Sequence, residues 1–453
     1  MSDEIVRLKI NIVWHAIMVW TPTLSCQGPR YKALADAIER AVEVGELRAG
    51  DRMPPQRDIA WRLGLDTSTV TKAYREAARR HLIHGEVGRG TFVLGRSRAA
   101  EMFMSRNRDD AILDLSVNRP AAINDGSFKA SVVQAISKGV TDLEGYPSHD
   151  LVHRLRLAGV KWLASRSIRA RPDEVIPAPG GQAALAAILN VLDVKSLGIE
   201  EQTYSGIIAL ARARSLVTVD LAMDQSGVLP AALVDAKVDM AILVPTLHNP
   251  SGIVSPESRR RDLLIAAAGS GTVVVEDDAY GPLSDVQPLA AMDSDASILF
   301  TTTLSKTVAA GLRIGFIWGK GPLIEKLNAA TYATSWAMSP LMMEIAIRWI
   351  EGDIASDRIA WQRQEIAARH RLATTIFPQL RGLPASPHIF IRTDAPPVLF
   401  ERAGIRIAPS SAFSRKADAD PGVRISLSAA PSRSELAPAL QECAKIIDGY
   451  SGG

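Results

Sequence analysis

The chain has 453 residues, enough for two or three domains, and its 47% hydrophobic and 22% charged residues are typical of a globular protein. Its two cysteines, Cys26 and Cys443, exclude a disulfide framework and a cysteine-based metal site. The net charge of +3 is unevenly distributed, since residues 30–98 hold 14 Lys and Arg against 9 Asp and Glu. A basic amino-terminal module on a near-neutral body indicates a polyanionic partner for that module.

Residues 1–19 are interpreted as an irregular extension. Their apolar run is interrupted by Asn11 and His15, is too short to cross a membrane and lacks a small-residue cleavage site. We therefore expect no membrane anchor and no secretory signal, and the low cysteine count suits a reducing cytoplasm. Met18 is an alternative start of translation.

Residues 20–95 predict a small module of three helices followed by a hairpin. Apolar residues at helical spacing mark the first helix, and Pro54–Arg57 opens a short second one. A tight turn at Gly64 leads to a third helix, which Thr67–Val70 caps. Two strands then flank Gly88–Gly90.

The second and third helices, with the turn between them, are a candidate helix-turn-helix. Short hydroxyl side chains at the start of the third helix can meet phosphates and base edges in a major groove. Cations on the second helix and at the hairpin tip can reach the DNA backbone or the minor groove. The candidate DNA contacts are Arg57, Thr67, Ser68, Thr69, Thr71 and Arg89. A small helical domain with ordinary caps stays open as the alternative.

The module resembles the winged helix of GntR-type transcription regulators over its whole length. The resemblance rests on residues 50–60, residues 63–74 and the wing motif Gly88-Arg-Gly-Thr-Phe92. It implies that the six candidate residues contact operator DNA. Asp66 departs from the expected chemistry, because a carboxylate beside phosphates repels them unless it caps the helix.

Residues 96–112 form a polar linker, and residues 113–453 alternate strand-like and helical patterns. Four apolar runs are interpreted as strands buried on both faces, namely residues 216–221, 240–244, 272–276 and 297–301. Helices lie between them, and the pattern predicts an α/β fold with a large parallel-rich sheet. Short strands near residues 388–392 and 422–427 predict a smaller carboxy-terminal α+β subdomain.

A pattern typical of pyridoxal phosphate sites occurs at Thr303-Leu-Ser-Lys306, which is followed by Arg313 in a Gly-flanked turn. The lysine amine forms a Schiff base with the aldehyde, and hydroxyls and a guanidinium take the phosphate. Upstream, Asp277 at the end of a buried strand can pair with the pyridine nitrogen, and Tyr280 can donate to the phenolic oxygen. The alternative for Asp277 is a carboxylate that caps the edge of a sheet.

Three weaker patterns precede that stretch. Gly181 and Gln182 begin a helix whose unpaired amides can face a phosphate. Tyr204 can stack on a planar ring, and Asn249, in an Asn-Pro-Ser-Gly turn, can bond the phenolic oxygen. Alone, these are a loop-to-helix turn, a packing tyrosine and a turn. Their order along the chain, together with the lysine and the aspartate, predicts one cofactor site.

In that order the residues resemble fold-type I aminotransferases from about Leu113 to the end of the chain. The resemblance makes Lys306 the catalytic Schiff-base lysine. It adds Tyr146, which in relatives reaches the phosphate of the neighbouring subunit, and Arg424, which clamps a substrate carboxylate. The other cofactor contacts that it implies are Gly181, Gln182, Tyr204, Asn249, Asp277, Tyr280, Thr303 and Arg313. Four departures affect local loop geometry but remove no reactive group: Leu151, Ala178, Thr302 and Ala310.

A GntR-type winged helix followed by an aminotransferase-like domain resembles the MocR (GabR-like) regulators over nearly the whole chain. The resemblance implies a head-to-tail homodimer that binds operator DNA and senses an amino acid or amine through an aldimine at Lys306. Transamination is usually vestigial in that family. Two alternatives stay open: an active aminotransferase with a fused winged helix, and a sensor of pyridoxal phosphate itself. Turnover with amino donors tests the first, and Arg424 favours a carboxylate-bearing ligand over the second.

Overall fold

The computed structural model describes residues 20–24, 29–43, 46–47, 51–79, 82–86, 90–93, 112–123, 126–138, 145–330, 338–416 and 420–451. The extension before Trp20, most of the predicted linker and the candidate Arg89 lie outside these residues. The chain divides into two compact units, Met1–Glu101 and Met102–Gly453. None of the described helices combines the length and the apolar character that a membrane span requires.

The amino-terminal unit has the predicted three helices and hairpin. Its elements are α1 (Arg30–Glu43), α2 (Gln56–Leu63), α3 (Thr67–Arg79), β1 (Ile83–Glu86) and β2 (Gly90–Val93). The two strands pair antiparallel, and residues 51–53 add to the hairpin, because Met53 N donates to Thr91 O at 2.8 Å. A single apolar core, which includes Leu34, Ile59 and Val70, joins the three helices.

The residue that caps α3 is Asp66, and the prediction that Thr67–Val70 caps this helix is wrong. Asp66 Oδ1 accepts a hydrogen bond from Ser68 N at 2.7 Å, which satisfies an amide that has no partner within the helix. Hydrogen bonds from Ser68 hold the pKa of Asp66 below its usual value. Asp66, whose charge does not suit a DNA contact, therefore stabilises the start of α3.

The second unit alternates strands and helices along the chain. Its strands are β3 (Leu113–Asp114), β4 (Val175–Ala178), β5 (Ser196–Glu200), β6 (Val217–Leu221), β7 (Met223–Asp224), β8 (Gly227–Val228), β9 (Met240–Leu243), β10 (Val273–Asp277), β11 (Ile298–Thr303), β12 (Gly315–Gly319), β13 (His388–Arg392), β14 (Ile405–Arg406), β15 (Ala408–Pro409) and β16 (Gly422–Ser426). Its helices are α4 (Ser127–Lys138), α5 (His149–Ala164), α6 (Gly181–Val191), α7 (Ser205–Ala213), α8 (Pro230–Ala236), α9 (Glu257–Ser270), α10 (Gly321–Ala329), α11 (Pro340–Glu351), α12 (Ile354–Ile376), α13 (Pro397–Arg402) and α14 (Arg433–Ser451). This order confirms the predicted α/β class.

A seven-stranded sheet forms the centre of this unit, in the order β4-β12-β11-β10-β9-β5-β6. β12 runs antiparallel to both of its neighbours, and the other pairs are parallel. Successive residues face opposite layers: Leu299 packs with the α6 side and Phe300 with the α5 and α11 side. The prediction that all four apolar runs are buried on both faces is wrong for β6, because this strand lies at the sheet edge and Val217 is 67% exposed.

A smaller sheet forms the carboxy-terminal part, as predicted. Its order is β13-β16-β15 with antiparallel pairs, and α12 and α14 pack together beside it. β3 pairs with β14, so the first described residues after the predicted linker join the carboxy-terminal part. This pairing brings the chain just after Asp114 close to β16, which carries Arg424.

Candidate functional site

The carboxyl end of β10 carries Asp277, which is almost fully buried. The Thr301 hydroxyl lies 3.4 Å from Asp277 Oδ1, and no Lys or Arg in the described ranges forms an ion pair with Asp277. Its neighbour Asp278 faces away and pairs with Arg166 at 2.8 Å. Burial, followed by the charges of Asp278 and Glu200, raises the pKa of Asp277 to about 7. A buried carboxylate in this position favours a cationic partner such as a protonated pyridine nitrogen.

Lys306 ends the 3-10 turn that follows β11, and its Nζ donates to the main-chain carbonyl of Asn118 at 2.8 Å. Burial is the main cause that lowers the pKa of Lys306 to about 8, with the charges of Arg424 and Arg313 adding to it. A lower pKa increases the fraction of neutral amine, which is the form that attacks a carbonyl carbon. The lysine therefore has the chemical character that a Schiff base requires.

The start of α6 and the Arg313 side chain form a cradle for an anion. Arg313 Nη1 donates to Ser305 Oγ and Nη2 donates to Pro179 O, both at 3.3 Å. A Cβ on Gly180 would lie 2.7 Å from Arg313 Nη2, so only glycine lets the guanidinium lie there. The amides at the start of α6, which begins at Gly181, have no acceptors within the helix. This donor set fits the dianionic phosphate of pyridoxal phosphate.

Two predicted phosphate contacts have other partners in the structure. The Gln182 amide donates to Gly206 O at 3.0 Å, which leaves the main-chain amide of Gln182 for an anion. Thr303 Oγ1 donates to Ile314 O at 3.0 Å and accepts from Ser305 N at 3.1 Å. The Ser305 hydroxyl is better placed for a phosphate, because it accepts from Arg313 and retains its own proton to donate. The sequence analysis did not select Ser305, although it stands beside Lys306.

Tyr204 precedes α7 and is fixed by close packing against Gly206. A Cβ on Gly206 would lie 2.4 Å from Tyr204 Cε1, so the ring needs this glycine. Burial raises the pKa of Tyr204, and the charge of Asp277, at the end of β10, adds to the shift. A ring in this place can stack on a planar cofactor.

Arg424 of β16 is buried without a carboxylate partner among the described residues. Its Nη1 donates to Asn249 Oδ1 at 2.7 Å, its Nη2 donates to the Ser116 carbonyl, and its Nε is buried without a hydrogen-bond partner. The guanidinium lies 4.8 Å from the centre of the Phe413 ring. Burial lowers the pKa of Arg424 to about 10. A carboxylate is the ligand that such a guanidinium binds best.

Two residues that the sequence analysis missed complete the buried cluster. Asn118 Nδ2 lies 2.8 Å from the Tyr280 hydroxyl and 2.9 Å from His388 Nδ1. The Tyr280 and His388 rings are in contact, with centroids 5.4 Å apart. Asn249, bonded to Arg424 through its oxygen, keeps its amide protons for a further acceptor. The structure thus brings Lys306 and Tyr280 together around one asparagine.

Tyr146 does not join this cluster. It lies in the loop before α5 and is 75% exposed.

In the amino-terminal unit, the candidate DNA-binding side chains lie on α2 and on the first turns of α3. Arg57, Thr67 and Ser68 are exposed, whereas Thr69 is half-buried. The Thr71 hydroxyl lies 2.7 Å from Gln56 Oε1, so it connects α3 to α2. Arg52 bridges to Phe92 of the hairpin, and its guanidinium lies against Gly90, where a Cβ would come within 2.8 Å of Arg52 Nε. Arg52 is therefore a wing cation that the sequence analysis did not select.

Asp66 gives the first test of this surface. We expect Asp66→Asn to retain the cap, because the amide oxygen also accepts from Ser68 N, and to tighten DNA binding a few-fold at low salt by removing a negative charge. Asp66→Ala should instead lower the melting temperature of the module. Fluorescence anisotropy with DNA and thermal unfolding by circular dichroism measure both effects. Weaker DNA binding by Asp66→Asn would contradict this assignment.

The fold and the site together define a pyridoxal phosphate protein of the aminotransferase type that carries a DNA-binding helix-turn-helix. Residues 110–442 match the family model described as aminotransferase class I and II, and residues 30–93 match the model described as bacterial regulatory proteins, gntR family. The chain belongs to the aminotransferase class I and II family, joined to a GntR-type module in the arrangement of the MocR (GabR-like) regulators. Its cofactor is pyridoxal phosphate, and it is a transcription regulator that binds DNA and a small-molecule effector.

Similar proteins include transcription regulators and aminotransferases. The chain is 27% identical over 400 residues to the HTH-type transcriptional regulator YisV of Bacillus subtilis, covering 80% of this chain and 82% of YisV. It is 27% identical over 298 residues to the HTH-type pyridoxine biosynthesis transcriptional regulator PdxR of Corynebacterium glutamicum, covering 62% of this chain and 65% of PdxR. The kynurenine aminotransferase of Pyrococcus horikoshii, solved in complex with PMP, shares the fold with a TM-score of 0.68 at 21% identity, over 77% of this chain and 93% of that chain.

Proposed function

We propose that this regulator holds pyridoxal phosphate on Lys306 and responds to an amino acid or amine whose carboxylate binds Arg424. The observation that carries the proposal is the buried group of Lys306, Asp277 and Arg424. Of these, Asp277 and Arg424 form no ion pair with another described residue. Each therefore has a buried charge that a ligand of opposite charge can pair with. When bound, the cofactor supplies an electrophilic carbon for amines and an electron-withdrawing ring.

Each neighbouring side chain has a defined task in this proposal. Asp277 takes the ring nitrogen, while Arg313, Ser305 and the amides at the start of α6 take the phosphate. Asn249 and Tyr280 donate to the phenolic oxygen, and Tyr204 covers the ring. The assignment is supported by the donors and acceptors that these groups retain.

We also propose a head-to-tail homodimer. An exposed Tyr146 suits a residue that contacts the phosphate in the neighbouring subunit, which is the role that the resemblance implies. Residues 20–95 then bind operator DNA, residues 96–112 connect, and residues 113–453 bind cofactor and effector and form the dimer. Such a protein works in the cytoplasm, and at the nucleoid when bound to DNA.

DNA selected from a random library by the cofactor-loaded protein tests this function. Two winged helices on one dimer predict a footprint of two half-sites, separated by whole helical turns of about 10 base pairs. Affinity should fall steeply with salt, because each phosphate contact releases counter-ions. A footprint over one half-site, or multiple turnover with a simple amino donor, would favour the aminotransferase alternative.

Arg57→Ala should weaken this binding across all selected sequences and reduce the salt slope by about one, because one phosphate contact is lost. The cofactor absorbance should not change, since Arg57 lies in the other unit. Arg381→Ala, at an exposed position in the second unit, is the matched control. Anisotropy titrations at several salt concentrations measure the slope, and an unchanged slope would remove Arg57 from the DNA contacts.

A sensor of pyridoxal phosphate itself is the second candidate function. The name of the relative PdxR refers to pyridoxine biosynthesis, which supports a sensor of the cofactor. Arg424 is buried and has no carboxylate partner in the part of the chain that the structure describes, which supports a sensor of amino acids. The footprint of the cofactor-loaded protein should change on addition of an amino acid. A footprint that responds to pyridoxal phosphate alone would favour the cofactor sensor.

A further inference from the structure

Four buried groups form a continuous line of hydrogen bonds that ends at Tyr280. His388 Nε2 lies 2.9 Å from the His248 carbonyl, and His388 Nδ1 lies 2.9 Å from Asn118 Nδ2. The same Asn118 nitrogen lies 2.8 Å from the Tyr280 hydroxyl. All four residues are at most 4% exposed, so water does not compete for these bonds.

The His248 carbonyl determines the direction of this line. A carbonyl oxygen can only accept, so His388 Nε2 must carry a proton. Burial, followed by the charge of Arg424, lowers the pKa of His388 to about 3, and the ring is therefore neutral at physiological pH. A neutral imidazole with a proton on Nε2 has a lone pair on Nδ1. His388 thus presents an acceptor to Asn118.

The acceptor on His388 fixes the orientation of the Asn118 amide. If the amide were turned over, its oxygen would face the lone pair of His388 Nδ1, and two acceptors would meet in a buried place. Asn118 therefore presents its NH2 group, with one proton for His388 and the other for the Tyr280 oxygen. Because Tyr280 accepts this proton, its own O–H is left to donate elsewhere.

Asn118 also contacts Lys306. The main-chain carbonyl of Asn118 accepts from Lys306 Nζ at 2.8 Å, so the lysine and the Tyr280 hydroxyl are bonded to opposite parts of the same residue. In pyridoxal phosphate the phenolic oxygen is on the ring carbon next to the one that bears the aldehyde. A cofactor bonded to Lys306 would therefore bring its phenolic oxygen near that nitrogen, within reach of the surroundings that Asn118 shares with Tyr280.

We propose that His388 and Asn118 are positioning residues that hold the Tyr280 hydroxyl as a hydrogen-bond donor to the phenolic oxygen of the cofactor. They act through Tyr280 and do not touch the cofactor themselves in this scheme. The inference rests on the proposed function, in which Lys306 holds the cofactor and Tyr280 donates to its phenolic oxygen. Besides His388 and Tyr280, the charged or titratable groups around this line in the described residues are Lys306, Arg424, Asp277, Tyr204, His248 and Glu200, which contacts His248.

The test is a pH titration of the visible absorbance of the cofactor-loaded protein. A hydrogen bond from Tyr280 would stabilise the negative charge of the phenolic oxygen. It would do so most after Lys306 Nζ has lost the proton that also stabilises this oxygen, so the bond favours loss of that proton. Removing the donor should therefore raise the pH at which that proton leaves. Tyr280→Phe should raise it by about one unit, a tenfold change in the equilibrium.

His388→Phe should produce most of this shift, because Asn118 can then turn its oxygen to Tyr280 and take the hydroxyl proton. Adding His388→Phe to Tyr280→Phe should cause no further shift, which a purely structural role would not predict. His388→Gln offers both an acceptor and a donor and should restore the wild-type titration. His370→Phe, at a buried histidine outside this line, is the matched control.

Four outcomes decide the question. A shift in His388→Phe, none in His370→Phe, and no addition in the double variant would support the proposal. Wild-type titration of a folded His388→Phe would overturn it while leaving the proposed function intact. If His388→Phe does not fold, Asn118→Leu tests the same link, and a wild-type titration there would also overturn the proposal. If the wild-type protein takes up no pyridoxal phosphate, the proposed function fails and the inference fails with it.

Discussion

Replacing Lys306 by alanine is expected to abolish covalent attachment of pyridoxal phosphate completely. Lys306 supplies the amine, and burial lowers its pKa to about 8, which increases the neutral fraction at pH 7 by roughly two orders of magnitude. Arg313 and Asp277 do not depend on this amine, so the variant should still hold the cofactor non-covalently. The measurement is the mass of the protein after borohydride reduction, which should increase in the wild type and stay unchanged in Lys306→Ala.

The pH dependence of capture gives an independent check on the same lysine. Because the neutral amine reacts, the rate of attachment should rise with pH until about 8 and then level off. Lys326→Ala, at an exposed lysine on α10, should capture the cofactor like the wild type. A colourless wild-type protein that takes up no added pyridoxal phosphate, or a rate independent of pH between 6 and 8, would contradict the assignment of Lys306.

Arg424→Ala is expected to weaken the response to a carboxylate-bearing effector by about 10- to 100-fold. A hydrogen bond to a charged group contributes about 1.5–3 kcal/mol, and the guanidinium can make two of them to one carboxylate. The visible absorbance of the bound cofactor should be retained, because no cofactor contact is assigned to Arg424. Titrating the absorbance with amino acids, and with the matched amines that lack the carboxylate, measures the loss.

Two further variants make this result specific. Arg392→Ala, on the neighbouring strand β13, removes an arginine that is 80% exposed and pairs with Asp420, so it should respond like the wild type. Arg424→Lys keeps the charge but loses the planar fork, and its response should be intermediate. If Arg424→Ala loses the cofactor but still responds to amino acids with wild-type affinity, the role assigned to Arg424 is wrong.

The fold was predictable where a short stretch of sequence determines its own secondary structure, as an apolar run determines a buried strand. The apolar runs that became β9, β10 and β11 lie inside the sheet, where both faces are covered. An apolar run does not show which strands lie beside it in the sheet. The run of β6 therefore predicts a buried strand, although β6 lies at the sheet edge. The antiparallel direction of β12 could not be predicted for a similar reason. The direction of a strand depends on the path of the segment that connects it to the preceding strand, and the strand's own residues do not record this path.

The site was predictable where a reactive residue follows a strand. Lys306 after β11 and Asp277 at the end of β10 are such residues, and neighbouring strand ends meet at one edge of the sheet. Asn118 and His388 were missed because their contact joins residues 270 positions apart, and neither stands in a recognisable motif. Gln182 and Thr303 matched the family pattern, yet their side chains bond to the main chain, which only the folded geometry reveals.

Two of the cations of the ligand site, Lys306 and Arg424, donate to one stretch of main chain. Lys306 donates to the carbonyl of Asn118 and Arg424 to the carbonyl of Ser116. When Lys306 Nζ binds a cofactor, or the Arg424 guanidinium binds a carboxylate, fewer of its N–H groups can donate to these carbonyls. Residues 116–118 are also among the first that the chain reaches after leaving the winged helix and its linker. We therefore expect each ligand to compete with the hydrogen bonds that hold residues 116–118, so that binding of cofactor or effector loosens this stretch of main chain.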